Sequence, residues 1–107
     1  MNTTNLKQLL GLLEAIAANP MIFLGTTDLV QIDFALQTIW LTSTTLQVPM
    51  DRKLYAQIVQ EAGWNYNGGE VLAALRKTTL NNQEISHELL RLHILLVQQM
   101  INSLEQD

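Results

Sequence analysis

The sequence predicts an all-α protein, a single-domain antiparallel bundle of four to five helices with a long C-terminal helix at its centre. Three observations carry this. Apolar residues recur at three- and four-residue spacings in each long segment. Alternation of apolar and polar residues is sustained nowhere, although Leu41 to Val48 is Thr-rich enough to be extended. The two longest segments are apolar over about half their circumference, wider than the roughly 100° stripe of an ordinary surface helix. Such a helix is either the centre of a bundle or half of an interface.

A first helix places Leu6, Leu9, Leu10, Leu13, Ile16 and Ala17 on one side, with Lys7, Gln8 and Glu14 opposite, until Asn19-Pro20 stops it. Met21 to Leu24 reads as an apolar connector ending in Gly25. Thr26, Thr27 or Asp28 then caps a second helix, Leu29 to Thr44. On it Asp33 and Gln37 lie between Leu29, Leu36, Ile39 and Trp40 on one side and Val30, Phe34 and Leu41 on the other. Thr42-Ser43-Thr44-Thr45 with Pro49 closes that segment.

Asp51 caps a third helix, Arg52 to Ala62, with Leu54, Tyr55, Ile58, Val59 and Ala62 inward and Gly63 ending it. A loop, Trp64-Asn65-Tyr66-Asn67-Gly68-Gly69, leads to a short fourth helix, Glu70 to Lys77. Asn81 with Glu84 three residues on has the form of a capping box. The last helix, Gln83 to Glu105, would span about 35 Å. One stripe on it is Ile85, Leu89, Leu92 and Leu96; a second is Leu90, Ile94, Val97, Ile101 and Leu104, with His93 between them.

Residues 1–107 read as one helical domain, without repeats, low-complexity tracts or linkers, large enough to bury roughly 65% of its unfolded surface. Of the 107 residues, 48% are hydrophobic and only 15% charged, against a usual charged share of about 25%. Few charges remain for the outside, which points to a partner or a second copy. Six Lys+Arg against ten Asp+Glu give a net charge of −4, which disfavours a phosphate-neutralising surface. The absence of cysteine excludes disulfides, thiolate metal sites and cysteine nucleophiles, and suits a cytoplasmic protein. Lys7 followed by a Leu-rich stretch and Ala15-Ile16-Ala17 has features of a secretion signal, but Glu14 interrupts the apolar run and the segment reads as an amphipathic helix. No run approaches the roughly 18 apolar residues of a membrane span.

Candidate sites follow from polar groups in apolar surroundings. His93 needs a partner for each ring nitrogen, and Asp33, placed similarly on the second helix, is the expected one. Asp33, Gln37 and His93 would form a polar pocket, with Trp64 and Tyr66 as a lid able to stack on a flat ligand. The bland reading of the same residues, a satisfied core histidine and aromatics anchoring a loop, is the favoured one. Glu84-Ile85-Ser86-His87 has the Glu-x-x-His spacing of carboxylate-bridged metal bundles, but it occurs once and lacks the other ligands. Gly68-Gly69 lacks the phosphate-loop context. Arg76 and Lys77 would face DNA in a helix-turn-helix, yet the preceding loop is too long for that motif.

The function these readings favour is that of a non-enzymatic small helical protein acting through self-association and protein–protein interaction. It would be a homodimer joined through Leu90, Ile94, Val97, Ile101 and Leu104 and part of the second helix, without cofactor, metal, nucleic acid or membrane. The alternative is a small-ligand-binding or catalytic bundle built on the pocket around Asp33, Gln37 and His93.

Overall fold

A computed structural model describes residues 3–106. Six helical segments follow in order: α1 (Thr4–Ala18), α2 (Pro20–Leu24), α3 (Leu29–Thr45), α4 (Arg52–Glu61), α5 (Val71–Arg76) and α6 (Asn82–Glu105). No strand occurs among the described residues. Their radius of gyration, 13.6 Å, is close to the roughly 13 Å of a folded domain this long.

Asn19 accounts for the break between α1 and α2. Preceding a proline, it takes an extended conformation that ends α1. Its side chain then accepts a hydrogen bond from the Ile22 N–H at 3.2 Å, so the same residue starts α2. Pro20 occupies the first turn, where its missing N–H costs nothing. The stretch expected as a connector, Met21 to Leu24, is therefore helical, and Gly25 ends it in the left-handed region with φ +71°.

Capping fixes the other starts. Asp28 accepts from Gln31 N at 3.1 Å and Asp51 from Leu54 N at 3.0 Å. Asn81 and Glu84 form the reciprocal box, with Glu84 N donating to Asn81 Oδ1 at 2.9 Å and Asn81 N to Glu84 Oε1 at 3.0 Å.

Two helices end in the same hydrogen-bonded motif with different residues at its key position. After α4, Gly63 N donates to Gln60 O and Trp64 N to Val59 O, with Gly63 at φ +95°. After α3, Gln47 N donates to Thr44 O and Val48 N to Ser43 O, but the left-handed residue is Gln47, at φ +66°. A Cβ is disfavoured there. Burial of Val48 immediately after it holds the turn in place. The helix thus runs to Thr45, and the Thr-rich stretch is not extended until it has passed this turn.

α1, α3, α4 and α5 all pack on α6. That arrangement explains the double apolar stripe of α6: Ile85, Leu89, Leu92 and Leu96 are buried on one side and Leu90, Val97 and Ile101 on the other. Leu6, Leu9, Leu13 and Ile16 of α1, Leu29, Ile32, Leu36 and Trp40 of α3, and Tyr55, Ile58 and Val59 of α4 supply the facing core. At the periphery Lys7 Nζ lies 3.0 Å from Glu105 Oε2, an exposed ion pair worth at most about 1 kcal/mol. No helix is long and apolar enough to cross a membrane among the described residues.

Candidate functional site

His93 lies at the meeting point of α3, α4 and α6, almost wholly buried. Trp40 Nε1 donates to its Nδ1 at 2.8 Å, and the Tyr55 hydroxyl lies 3.3 Å from its Nε2. An indole N–H can only donate, so Nδ1 must present its lone pair and the ring proton resides on Nε2, where it donates to the Tyr55 oxygen. The three rings are tilted against one another, with the His93 centroid 6.2 Å from that of Trp40 and 5.0 Å from that of Tyr55. Burial lowers the His93 pKa to about 4 and raises that of the Tyr55 phenol. Both groups are consequently neutral across the physiological range, and a second proton on His93 would point an N–H at the Trp40 N–H.

The expected pairing of His93 with Asp33 is thereby replaced. Asp33 instead accepts from Gln37 Nε2 at 2.9 Å, one turn along the same helix. Partial burial raises the Asp33 pKa, an effect the Gln37 hydrogen bond partly offsets. Asp33 and Gln37 are thus brought together with each other but not with His93. The reason is rotational: Trp40, on the inward side of α3, reaches α6, whereas Asp33 lies on the flank and Gln37 faces solvent. Trp40 and Tyr55 were readable as inward-facing residues with one polar atom each; matching their donors to the acceptor capacity of His93 would have found the triad.

The hydrogen bonds of Trp64 and Tyr66 go elsewhere than to His93. Trp64 Nε1 donates to Glu88 Oε2 at 2.7 Å, Tyr66 Oη donates to Gly69 O at 3.0 Å, and Gln60 Nε2 donates to Tyr66 O at 3.0 Å. Both rings are half-buried against the core, so they anchor the loop between α4 and α5. Glu88 is held from the other side by Arg91, which pulls its carboxyl pKa down. An open cleft of about 560 Å³ lies beside Trp64, lined also by Leu80, Glu84, His87 and Arg91. Glu84 is committed to the helix cap. No three His, Asp or Glu side chains among the described residues converge as a metal site.

A second cleft, also about 560 Å³, runs between the α1–α2 turn and the starts of α3 and α6. A third groove, about 330 Å³, separates α1 from the C-terminal half of α3 and carries Leu9, Leu12, Ile39, Leu46 and Val48 among uncharged polar residues. His93, Asp33 and Gln37 line none of the three. His93 is inside the core, with a bonding partner at each ring nitrogen.

Of the residues expected at a dimer contact, Leu90, Val97 and Ile101 are buried by this chain's own helices, and Ile94 and Leu104 are half-covered. The uncovered apolar face is on α3. Val30, Phe34 and Leu41 are 56%, 70% and 70% exposed. They sit on one stripe with Gln37, and the remaining exposed residues of that side, Gln31, Thr38, Thr42 and Thr45, are also uncharged. Met21, Ile22 and Phe23 of α2, which packs against α3, add exposed apolar surface. Set beside known protein families, curated proteins and solved structures, the chain matches none of them.

Proposed function

We propose that this chain is a non-enzymatic helical protein that acts by self-association, as a homodimer held through the exposed face of α3. The observation that carries the reading is the row Val30, Phe34 and Leu41, more than half exposed on a helix whose solvent side bears no charge. An isolated exposed leucine means little, but large apolar side chains aligned along one face mark an interaction surface. At a net charge of −4 two copies repel each other, and an uncharged face is where they approach at least cost. We place the contact on α3 rather than on Leu90, Val97 and Ile101, because the chain itself covers those three.

The finer architecture belongs to the same proposal. Neighbouring helices of the bundle run antiparallel, a reading supported by the short connections and by the pairing of Lys7, near the start of α1, with Glu105 at the end of α6. A cytoplasmic setting accords with a chain that has no cysteine.

The test is mass in solution. Light scattering at micromolar concentration should return twice 12.1 kDa, and Phe34→Glu should return the monomer mass with an unchanged helical spectrum. A wild-type mass of 12.1 kDa would remove the reading. A dimer untouched by Phe34→Glu would move the contact off α3.

A further inference from the structure

Asn67 and Gly68 stand at the tip of the loop between α4 and α5, both exposed. Hydrogen bonds hold the chain on either side of them. Gln60 Nε2 donates to Tyr66 O, and Tyr66 Oη donates to Gly69 O, each at 3.0 Å. Between these anchors the Asn67 side chain and the Gly68 N–H make no hydrogen bond among the described residues. Gly68 and Gly69 both take positive φ, +102° and +87°, and the space where a Cβ would stand is open at both.

That combination exposes a side-chain amide to its own backbone. Closing a bond from the Gly68 nitrogen to Asn67 Cγ makes a five-membered ring, and neither a competing hydrogen bond nor a side chain on residue 68 obstructs the approach. The other described asparagines lack one of these conditions. Asn5, Asn82 and Asn102 lie in helices, which fix the backbone dihedrals. Asn19 precedes Pro20, which has no N–H. Asn65 and Asn81 are followed by Tyr66 and Asn82, whose side chains crowd the nitrogen.

From this geometry we infer that Asn67 is a site of self-modification, converting to isoaspartyl and aspartyl forms with water as the co-reactant. The Gly68 nitrogen, once its proton passes to hydroxide, bonds to Cγ. The Cγ–Nδ2 bond breaks, and the amide nitrogen takes a proton from water and leaves as ammonia. Water then opens the cyclic imide. Attack at Cγ restores the ordinary main chain with an aspartyl side chain. Attack at the backbone carbonyl breaks its bond to the Gly68 nitrogen and leaves the chain running through Cβ and Cγ, one atom longer. No atom is oxidised or reduced. Either product adds a negative charge close to Glu70, the N-cap of α5. The isoaspartyl product also lengthens the span that the Tyr66–Gly69 hydrogen bond closes.

The test is incubation of the full chain at neutral and at higher pH, followed by intact mass and by peptide mapping that separates isoaspartyl, aspartyl and asparaginyl forms. The chain should gain one mass unit and one negative charge at residue 67, at a rate that rises in proportion to hydroxide concentration. The isoaspartyl form should be in excess, because the backbone carbonyl, next to the carbon that bears nitrogen, is the more electrophilic. Asn67→Gln, which would have to close a six-membered ring, should lose the conversion at this position. A folded chain that keeps its mass over the time in which its urea-unfolded form converts would overturn the proposal, since the loop would then shield the amide. Conversion at other asparagines with residue 67 intact would overturn it as well. Amide exchange from Glu70 to Leu72 should quicken in the isoaspartyl form and stay slow in Asn67→Asp, which carries the charge without the extra atom. Equal exchange in the two would overturn the effect assigned to the longer chain.

Discussion

Acidification should destabilise this protein through His93 before most carboxylates titrate. Burial lowers the folded-state pKa of His93 from 6.5 to about 4, so between these values the unfolded chain binds a proton that the folded chain refuses. Stability is then complete above the unfolded pKa, falls as pH drops through 6.5, and levels off below about 4. At 1.36 kcal/mol per pKa unit the full loss is about 3 kcal/mol, of which about 2 kcal/mol falls between pH 7 and pH 5. Against a total stability of roughly 5–15 kcal/mol for a small domain, that is a large fraction. The physical origin is burial of the ring away from water, and the Trp40 N–H at 2.8 Å from Nδ1 adds a donor that a second ring proton would face. Urea unfolding followed by circular dichroism at pH 7, 6 and 5 measures the slope, and His93→Gln should abolish it. Trp40→Phe, which removes the opposing donor, should raise the His93 pKa and shrink the slope. Two carboxyl groups act lower in the range and in opposite senses: Asp33, raised by burial, favours the fold in acid, and Glu88, lowered by Arg91, disfavours it. A wild-type stability flat from pH 7 to pH 5, or a slope unchanged in His93→Gln, would refute the reasoning.

Other perturbations follow from the same geometry. Phe34→Glu should raise the dimer dissociation constant by about 100-fold or more while leaving the monomer's unfolding free energy within about 0.5 kcal/mol of wild type, read from sedimentation and urea denaturation of one preparation. Gln47→Gly should stabilise the fold by about 0.5–1 kcal/mol, because Gly63 already fills the matching position after α4 and Gln47 pays for its positive φ; a lower melting temperature would show that the Gln47 side chain has contacts worth more than the strain. Asn81→Ala should cost about 1 kcal/mol by opening the box that starts α6, with amide exchange quickening at Gln83 and Glu84 first.

The helices and their starts were legible because their determinants are local. Asp51 and the Asn81–Glu84 pair cap from neighbouring residues, so spacing alone identifies them. α2 was missed because five residues are too few to display a period, although Asn19-Pro20 carried the cap and first-turn signals together. The partners of His93 were missed for a different reason. Periodicity ranks Trp40 and Tyr55 as apolar, whereas each carries a single polar atom that must be satisfied when buried.

The two broad apolar helices posed the harder problem. Periodicity measures how wide an apolar arc is, not what covers it. α6 and α3 look alike in sequence, yet four helices surround α6 while Val30, Phe34 and Leu41 of α3 face outward. The difference is set by the tertiary arrangement: the longest helix offers the most length for others to pack along, and α3 is one of those others.

The uncharged solvent side of α3 also governs how fast anything can meet it. Association rates rise far above the neutral level of roughly 10⁵–10⁶ M⁻¹s⁻¹ only when opposite charges draw partners together over distance. No such attraction extends from Gln31, Phe34, Thr38 or Leu41, and the acidic remainder of each molecule pushes copies apart. Encounters on this face are thus unassisted collisions, and adding salt quickens them by screening the repulsion between copies. Persistence of the proposed dimer would then come from slow departure of packed side chains rather than from frequent arrival.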